Sequence, residues 1–262
     1  MELTVDGRSV FVATGGRMPD PNLDTVVFVH GVAQDHTIWV LPIRYFARHD
    51  RNVIAVDLPG HGRSAGPPLT KIEEMASWLT RVLDEFSLRT TAVVGHSMGS
   101  LVALEAGGRH ADRVRAMVMV GVSVPLRVSD ALMGAAQQKS SDTLDMLTYW
   151  GHSKRAQVGG NRTPGIWMTG AYMRLLERCP PKTIAADLAA CDSYDGGMSA
   201  ASEATAPALL LLGQRDIMTP VRGAGELIDS LSDGRTVIYE GAGHALLTER
   251  PEQILDALID IV

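Results

Sequence analysis

The chain has little cysteine, no excess of positive charge and no long apolar run. Its two cysteines in 262 residues, Cys179 and Cys191, belong to no Cys/His cluster. That excludes a disulfide-stapled scaffold, and the pair reads as free thiols of a cytoplasmic protein. A formal net charge of −6 leaves no electrostatic footprint for nucleic acid. No stretch reaches the roughly 20 apolar residues that span a bilayer, and the opening Met1-Glu2-Leu3-Thr4-Val5-Asp6-Gly7 is polar and strand-like rather than a leader. No internal repeat or low-complexity tract is visible. The expectation is therefore a cytoplasmic protein with no membrane and no nucleic-acid partner. The pattern assigns no oligomeric state.

What is present is an ordinary globular composition, 45% hydrophobic and 21% charged. The length suits one large α/β domain with an insertion, able to bury a core without staples. Short β-branched and aliphatic runs recur at residues 10–13, 25–29, 52–56, 91–94, 116–120, 208–212 and 236–239. The first follows an Asp6-Gly7 turn, as in an opening hairpin. These runs are apolar throughout rather than alternating, which predicts strands buried on both faces of a mostly parallel sheet. Helical patterns lie between them. Thr70-Lys71-Ile72-Glu73 has the form of a capping box, opening a helix with Ile72, Met75, Leu79 and Val82 on one face. Residues 97–106 are small and apolar, as in a buried helix, and Pro251 suits the first turn of a last helix through Ile261. The alternation predicts a doubly wound α/β sheet. Residues 125–205 break it, with methionines and tryptophans but no strand. They predict a helical lid inserted into a core made of residues 1–124 and 206–262.

Gly95-His96-Ser97-Met98-Gly99 ends an apolar strand and opens a helix, the context of a G-x-S-x-G nucleophile elbow. Its glycines leave room for a sharp strand-to-helix turn, and the Ser97 hydroxyl stands at the positive end of a helix. Asp216 follows the run 208–212 in a loop at a strand's C-terminal end, where open α/β sheets build their sites. Asp130 is its rival as the acid. His244 lies in Gly241-Ala242-Gly243-His244, between the last strand and the last helix. A serine hydroxyl needs a base during attack. Imidazole, with an unperturbed pKa of about 6.5, suits that task, and a carboxylate fixes its tautomer. Of the other histidines, His96 is expected to point to the opposite side of its strand, His30 to brace the following loop and His61 to be structural. His36, His49, His110 and His152 have no motif context. No histidine has metal-ligand spacing with cysteine or carboxylate neighbours, so no metal is expected. Asp57 and Arg63 are expected to stabilise a turn.

These motifs resemble the α/β-hydrolase family. The elbow, His30-Gly31 with Trp39 downstream, Asp57-Leu58-Pro59-Gly60-His61-Gly62-Arg63-Ser64, Gly213-Gln214-Arg215-Asp216 and Gly241-Ala242-Gly243-His244 all stand in that family's order. The resemblance covers the core and leaves 125–205 as an insertion. It implies an enzyme with catalytic Ser97, Asp216 and His244 and an oxyanion hole made by the Met98 and Val32 backbone N–H groups. It implies no cofactor and, as partner, a small apolar ester-like substrate. Candidate pocket residues are Trp39, Trp150, Trp167 and Met168. The insertion's apolar set, which also holds Met133, Met146, Tyr172 and Met173, fits either a substrate pocket or a lid's own core. Family members that attack with aspartate, the haloalkane dehalogenases and epoxide hydrolases, are disfavoured by serine at the elbow. A carboxylic ester hydrolase or lactonase is the first expectation. A carbon–carbon bond hydrolase of the meta-cleavage type is the alternative, with a cofactor-free haloperoxidase or lyase-like member beside it and a non-catalytic ligand-binding protein last.

Overall fold

The apolar runs become the strands of a single eight-stranded sheet in a computed structural model that describes residues 1–161 and 165–262. In chain order they are β1 (Glu2–Val5), β2 (Arg8–Ala13), β3 (Thr25–Val29), β4 (Asn52–Val56), β5 (Thr91–His96), β6 (Val114–Val120), β7 (Ala208–Gly213) and β8 (Gly234–Tyr239). Across the sheet they run β1-β2-β4-β3-β5-β6-β7-β8. The β1–β2 hairpin and the β2–β4 pair are antiparallel, and every other neighbour is parallel. Strands β3, β4, β5 and β7 are buried at every position, which is why their sequences do not alternate. β8 departs from that expectation. It is one of the two edge strands, paired with β7 alone among the described residues, and from Arg235 to Ile238 it is exposed.

The helices among the described residues are α1 (Val40–Phe46), α2 (Ile72–Glu85), α3 (Met98–Arg109), α4 (Asp130–Gln137), α5 (Asp142–Gly151), α6 (Lys154–Gln157), α7 (Met168–Leu176), α8 (Pro181–Ser193), α9 (Gly197–Glu203), α10 (Gly225–Ser230), α11 (Leu246–Glu249) and α12 (Pro251–Ile259). Pro251 opens α12 as expected, with Arg250 as its N-cap. The capping box does not form. α2 begins at the fully buried Ile72, so Lys71 is its N-cap and makes no side-chain bond, and Thr70 stays outside the helix. No helix is long and apolar enough to cross a membrane, among the described residues.

The chain passes from β3 to β4 on one side, then returns across β3 to lay down β5 on the other. This reversal opens a crevice at the carboxyl ends of β3 and β5, and the loops leaving those ends begin at His30 and Ser97. One face of the sheet packs on α2 and α3 through residues such as Met75, Leu79, Leu101 and Val102. The other face holds Phe28, Trp39, Phe46, Ile254 and Leu258.

Among the described residues, α4 to α9 lie between β6 and β7. Leu132, Leu147, Tyr172, Leu176, Ile184 and Leu188, from α4, α5, α7 and α8, form a third apolar cluster of their own. α9 does not join them. It packs on α3, with Ala200 and Ala201 buried in the main core. The small residues near the end of the 125–205 segment thus pack on the core helix α3.

Two of the candidate pocket tryptophans are relocated by the fold. Trp39 is fully buried, its ring 5.1 Å from that of Phe28, in the core under the sheet. Trp167 is 71% exposed on the outer surface. Trp39→Ala should thus cost about 3–5 kcal/mol of unfolding free energy. Trp167→Ala should stay within about 1 kcal/mol. Urea unfolding of the two variants checks this, and an equal loss in both would contradict the placement.

Candidate active site

Ser97 sits between β5 and α3 with φ 55° and ψ −117°, a region that residues with a Cβ rarely occupy. The turn is possible only because the residues two places before and after Ser97 are glycine. A Cβ on Gly95 would lie 1.9 Å from the Gly99 carbonyl oxygen, and one on Gly99 would lie 2.3 Å from that of Val29. The Ser97 N–H donates to Val120 O on β6 at 2.9 Å. Ser100 adds a brace that the motif did not announce, its hydroxyl lying 3.0 Å from both the Gly95 and Val120 carbonyl oxygens. The Met98 N–H opens α3 and so has no intrahelical acceptor.

His244 lies between β8 and α11, and its Nδ1 is 2.7 Å from Asp216 Oδ2. Asp216 Oδ1 accepts the Met218 and Thr219 N–H groups, each at 2.8 Å. The Thr219 hydroxyl donates to Asp216 Oδ2 at 2.6 Å and stands 3.1 Å from His244 Nδ1. Burial pushes the Asp216 carboxyl up, but the His244 ring beside it and the bonds from His244 and Thr219 outweigh that, holding it below the usual carboxylate range. Asp130 is elsewhere. It opens α4, exposed to solvent, after the N-cap Ser129.

The loop after β3 is held at several points. His30 Nδ1 donates to Gly31 O at 2.9 Å while its Nε2 accepts the Leu58 N–H at 3.1 Å. The Gly31 N–H donates to Gln34 Oε1, and Gln34 Nε2 donates to the Tyr172 hydroxyl at 2.7 Å. Ala33 takes φ 60° and its N–H donates to Asp187 Oδ2 at 3.0 Å. Sequence reading found none of Gln34, Asp187 or Thr219, and took Tyr172 only as an apolar residue of the insertion, since their partners lie far along the chain or in a loop with no motif.

Ser97, His244, Val32 and Thr219 line a small cavity of about 130 Å³, shared with Leu132, Leu147, Trp150, Tyr172, Leu188, Cys191 and Met218. Of the four candidate pocket residues, only Trp150 is among its walls. Trp39 is on the wrong face of the sheet, Trp167 is outside, and Met168 is buried without reaching the cavity. Both cysteines are free and buried, and burial raises their thiols, so the Cys191 wall is an uncharged one. His96 is closer to the site than expected. Its ring packs 5.0 Å from that of His244, with Nε2 3.1 Å from the His244 carbonyl oxygen and Nδ1 3.0 Å from Gln34 Oε1. Asp57 does stabilise its turn, accepting the His36 and Arg63 N–H groups. Asp35, His36 and Asp57 bring ligand-type atoms within 4.8 Å of one another. Those atoms are engaged with Thr37, with Arg178 and with each other, and the group lies outside the cavity wall.

The family description "alpha/beta hydrolase fold" matches residues 24–251, and the chain belongs to that family. It is 24% identical to an (E)-2-((N-methylformamido)methylene)succinate hydrolase of Acinetobacter baylyi, over 90% of this chain and 89% of that one. It is 27% identical to a pimeloyl-[acyl-carrier protein] methyl ester esterase of Nitrosomonas europaea, over 94% and 97%. The solved structure of an enol-lactonase from Burkholderia xenovorans superposes with a TM-score of 0.87 at 19% identity, covering 100% of this chain and 99% of the other, which speaks for the fold.

The buried ring of His30, bonded as a neutral imidazole, has its pKa lowered by burial and by the neighbouring His61 from 6.5 to about 4. The unfolded chain then binds a proton that the folded chain refuses between those limits. The associated stability is full above pH 6.5 and lost as pH falls toward 4, in all about 3 kcal/mol. His96, lowered to about 3 by burial and by His244, acts in the same direction. His61, raised, acts oppositely and above pH 6.5. Unfolding free energies measured by urea between pH 6.5 and 4.5 should fall less steeply in His30→Gln than in the parent. An unchanged slope would show that His30 is already charged in the fold.

Proposed function

We propose that this protein is a serine hydrolase that cleaves a small carboxylic ester or lactone through an acyl-enzyme on Ser97. The observation that carries this reading is the strained Ser97 elbow opening into the same cavity as His244, whose far nitrogen is tied to the buried Asp216 at 2.7 Å. With Nδ1 held by the carboxylate, Nε2 is left to take the Ser97 proton as Oγ attacks the acyl carbon. The same nitrogen then returns the proton to the departing alkoxide, and a water repeats the sequence to free the acid. Met98 and Val32 N–H are the donors assigned to the oxyanion. Asp216, kept ionised by its bonds, steadies the imidazolium formed in both steps. The cavity is small and mostly apolar, which favours short acyl or alcohol groups. Relatives named as a methyl ester esterase and an enol-lactonase support the ester and lactone class.

A fluorophosphonate should label Ser97 and block turnover of p-nitrophenyl acetate. Ser97→Ala should lower kcat by about 10⁴-fold or more. Asp216→Asn should lose about 10⁴-fold by favouring the wrong imidazole tautomer, while Asp130→Asn stays near the parent. A Ser97→Ala enzyme with a tenth of the activity, or the reverse order of the two aspartates, would overturn these roles.

Trp150 is the tryptophan placed to select substrates. Trp150→Ala should shift the preference between short and long esters by about 1–3 kcal/mol per methylene-sized change, read as kcat/KM across a chain-length series. Unchanged selectivity would remove Trp150 from the substrate wall.

A further inference from the structure

Asp187 is a fully buried carboxylate on α8, and the reaction proposed above gives it no role. Its Oδ2 lies 2.8 Å from His61 Nε2 and accepts the Ala33 N–H at 3.0 Å. Its Oδ1 makes no hydrogen bond among the described residues. The His61 ring is itself buried, and its Nδ1 faces the Pro59 carbonyl oxygen at 3.2 Å. Both ring nitrogens thus face oxygens, and although burial works against the charged ring, the Asp187 carboxylate beside it raises its pKa and favours the imidazolium. A buried ion pair of this kind is a poor source of stability, because a well-packed apolar pair of the same size often does as well or better. What the pair does achieve is placement.

Its target is the residue next to Val32, on the loop assigned the second oxyanion donor. Ala33 carries a Cβ and nevertheless takes φ 60°, a conformation that needs support from its surroundings. The Asp187 carboxylate supplies it by accepting that residue's N–H. One residue on, Gln34 ties the loop to α7 by donating to the Tyr172 hydroxyl, and its Oε1 holds the Gly31 N–H. Two helices that stand between β6 and β7 therefore hold the two residues after Val32, across sequence separations of 154 and 138 residues, and Gln34 in turn holds Gly31 before it.

We infer that Asp187, charged against His61, is a positioning residue for the oxyanion hole. By this route the helices between β6 and β7 take part in transition-state stabilisation as well as in walling the cavity. The inference rests on the serine-hydrolase reading. Removing the carboxylate frees the Ala33 N–H and lets the Val32 donor drift from the oxyanion. A displacement of about 1 Å at such a group loses on the order of 10²-fold in rate.

The test compares Asp187→Ala and Asp187→Asn with the parent. The asparagine keeps the shape and an acceptor for Ala33 while losing the charge that faces His61. kcat should fall on the order of 10²-fold in Asp187→Ala and less in Asp187→Asn, with KM little changed. Affinity for an aryl trifluoromethyl ketone, which adds Ser97 to form an oxyanion, should fall in step with kcat. A folded variant with kcat within threefold of the parent, or with loss confined to KM, would overturn the inference. So would ketone affinity that does not move while the thermal midpoint drops, since that is what a merely structural residue gives. Amide hydrogen exchange at residues 31–34 reads the clamp without catalysis. It should accelerate in Asp187→Ala even if the parent proved to lack Ser97-dependent esterase activity, a result that would remove the proposed reaction alone. Unchanged exchange there would remove the clamp.

Discussion

The backbone reversal at Ser97 is the constraint on which the rest of this structure depends. A strand buried on both faces must end and a buried helix begin within one residue, and the residue that turns must carry a side chain. That forces a positive φ on serine and forbids a Cβ at Gly95 and Gly99, where the Gly99 and Val29 carbonyl oxygens are already in the space. The strain is held by bonds to the adjacent β6, through the Ser97 N–H and the Ser100 hydroxyl to Val120 O. The elbow is therefore a property of three parallel strands and not of a local turn. Its result is a hydroxyl at the carboxyl edge of the sheet, beside the crevice that the β3, β4, β5 order opens.

The other groups of the site are placed by the same edge, from distances along the chain that only a parallel sheet makes short. Asp216 leaves β7 and His244 leaves β8, neighbours in the sheet, so their side chains meet although 28 residues separate them. The carboxylate accepts from Met218 and Thr219 as well as from the imidazole, and this keeps it ionised despite burial. The aspartate that caps the turn after β7 and the one that holds the His244 ring are thus the same residue. His96, squeezed between the His244 carbonyl and Gln34, links this half of the site to the loop after β3.

The helices between β6 and β7 have two relations to the site. Leu132, Leu147, Trp150 and Leu188 wall the cavity and also belong to or pack against an apolar cluster of their own, so pocket lining and local core are one set of residues here rather than alternatives. Tyr172 and Asp187 work through hydrogen bonds instead, reaching the loop after β3 from α7 and α8. Burial raises the Tyr172 phenol to about 12, which keeps it a neutral partner for Gln34.

How much of this was legible in the sequence follows from the range of each interaction. The apolar runs at β3, β4, β5 and β7 became strands because burial on both faces imposes composition residue by residue. The elbow, Asp216 and His244 were legible because each sits at a strand end where a short motif records a backbone requirement. β8 looked like the other runs but is exposed, since edge position depends on which strands pair and not on the run itself. The capping box at Thr70 failed for a similar reason: burial of Ile72 set the start of α2 in place of the local pattern. Tryptophan content could not tell Trp39 in the core, Trp167 on the surface and Trp150 in the cavity wall apart, because the same apolar side chain suits all three. The sequence by itself determined the sheet and the placing of Ser97, Asp216 and His244 at the ends of its strands. Only the tertiary structure decided which apolar residues meet the cavity and that Gln34, Tyr172 and Asp187 hold the loop beside Val32. Those contacts join segments 138 to 154 residues apart, and no local spacing encodes them.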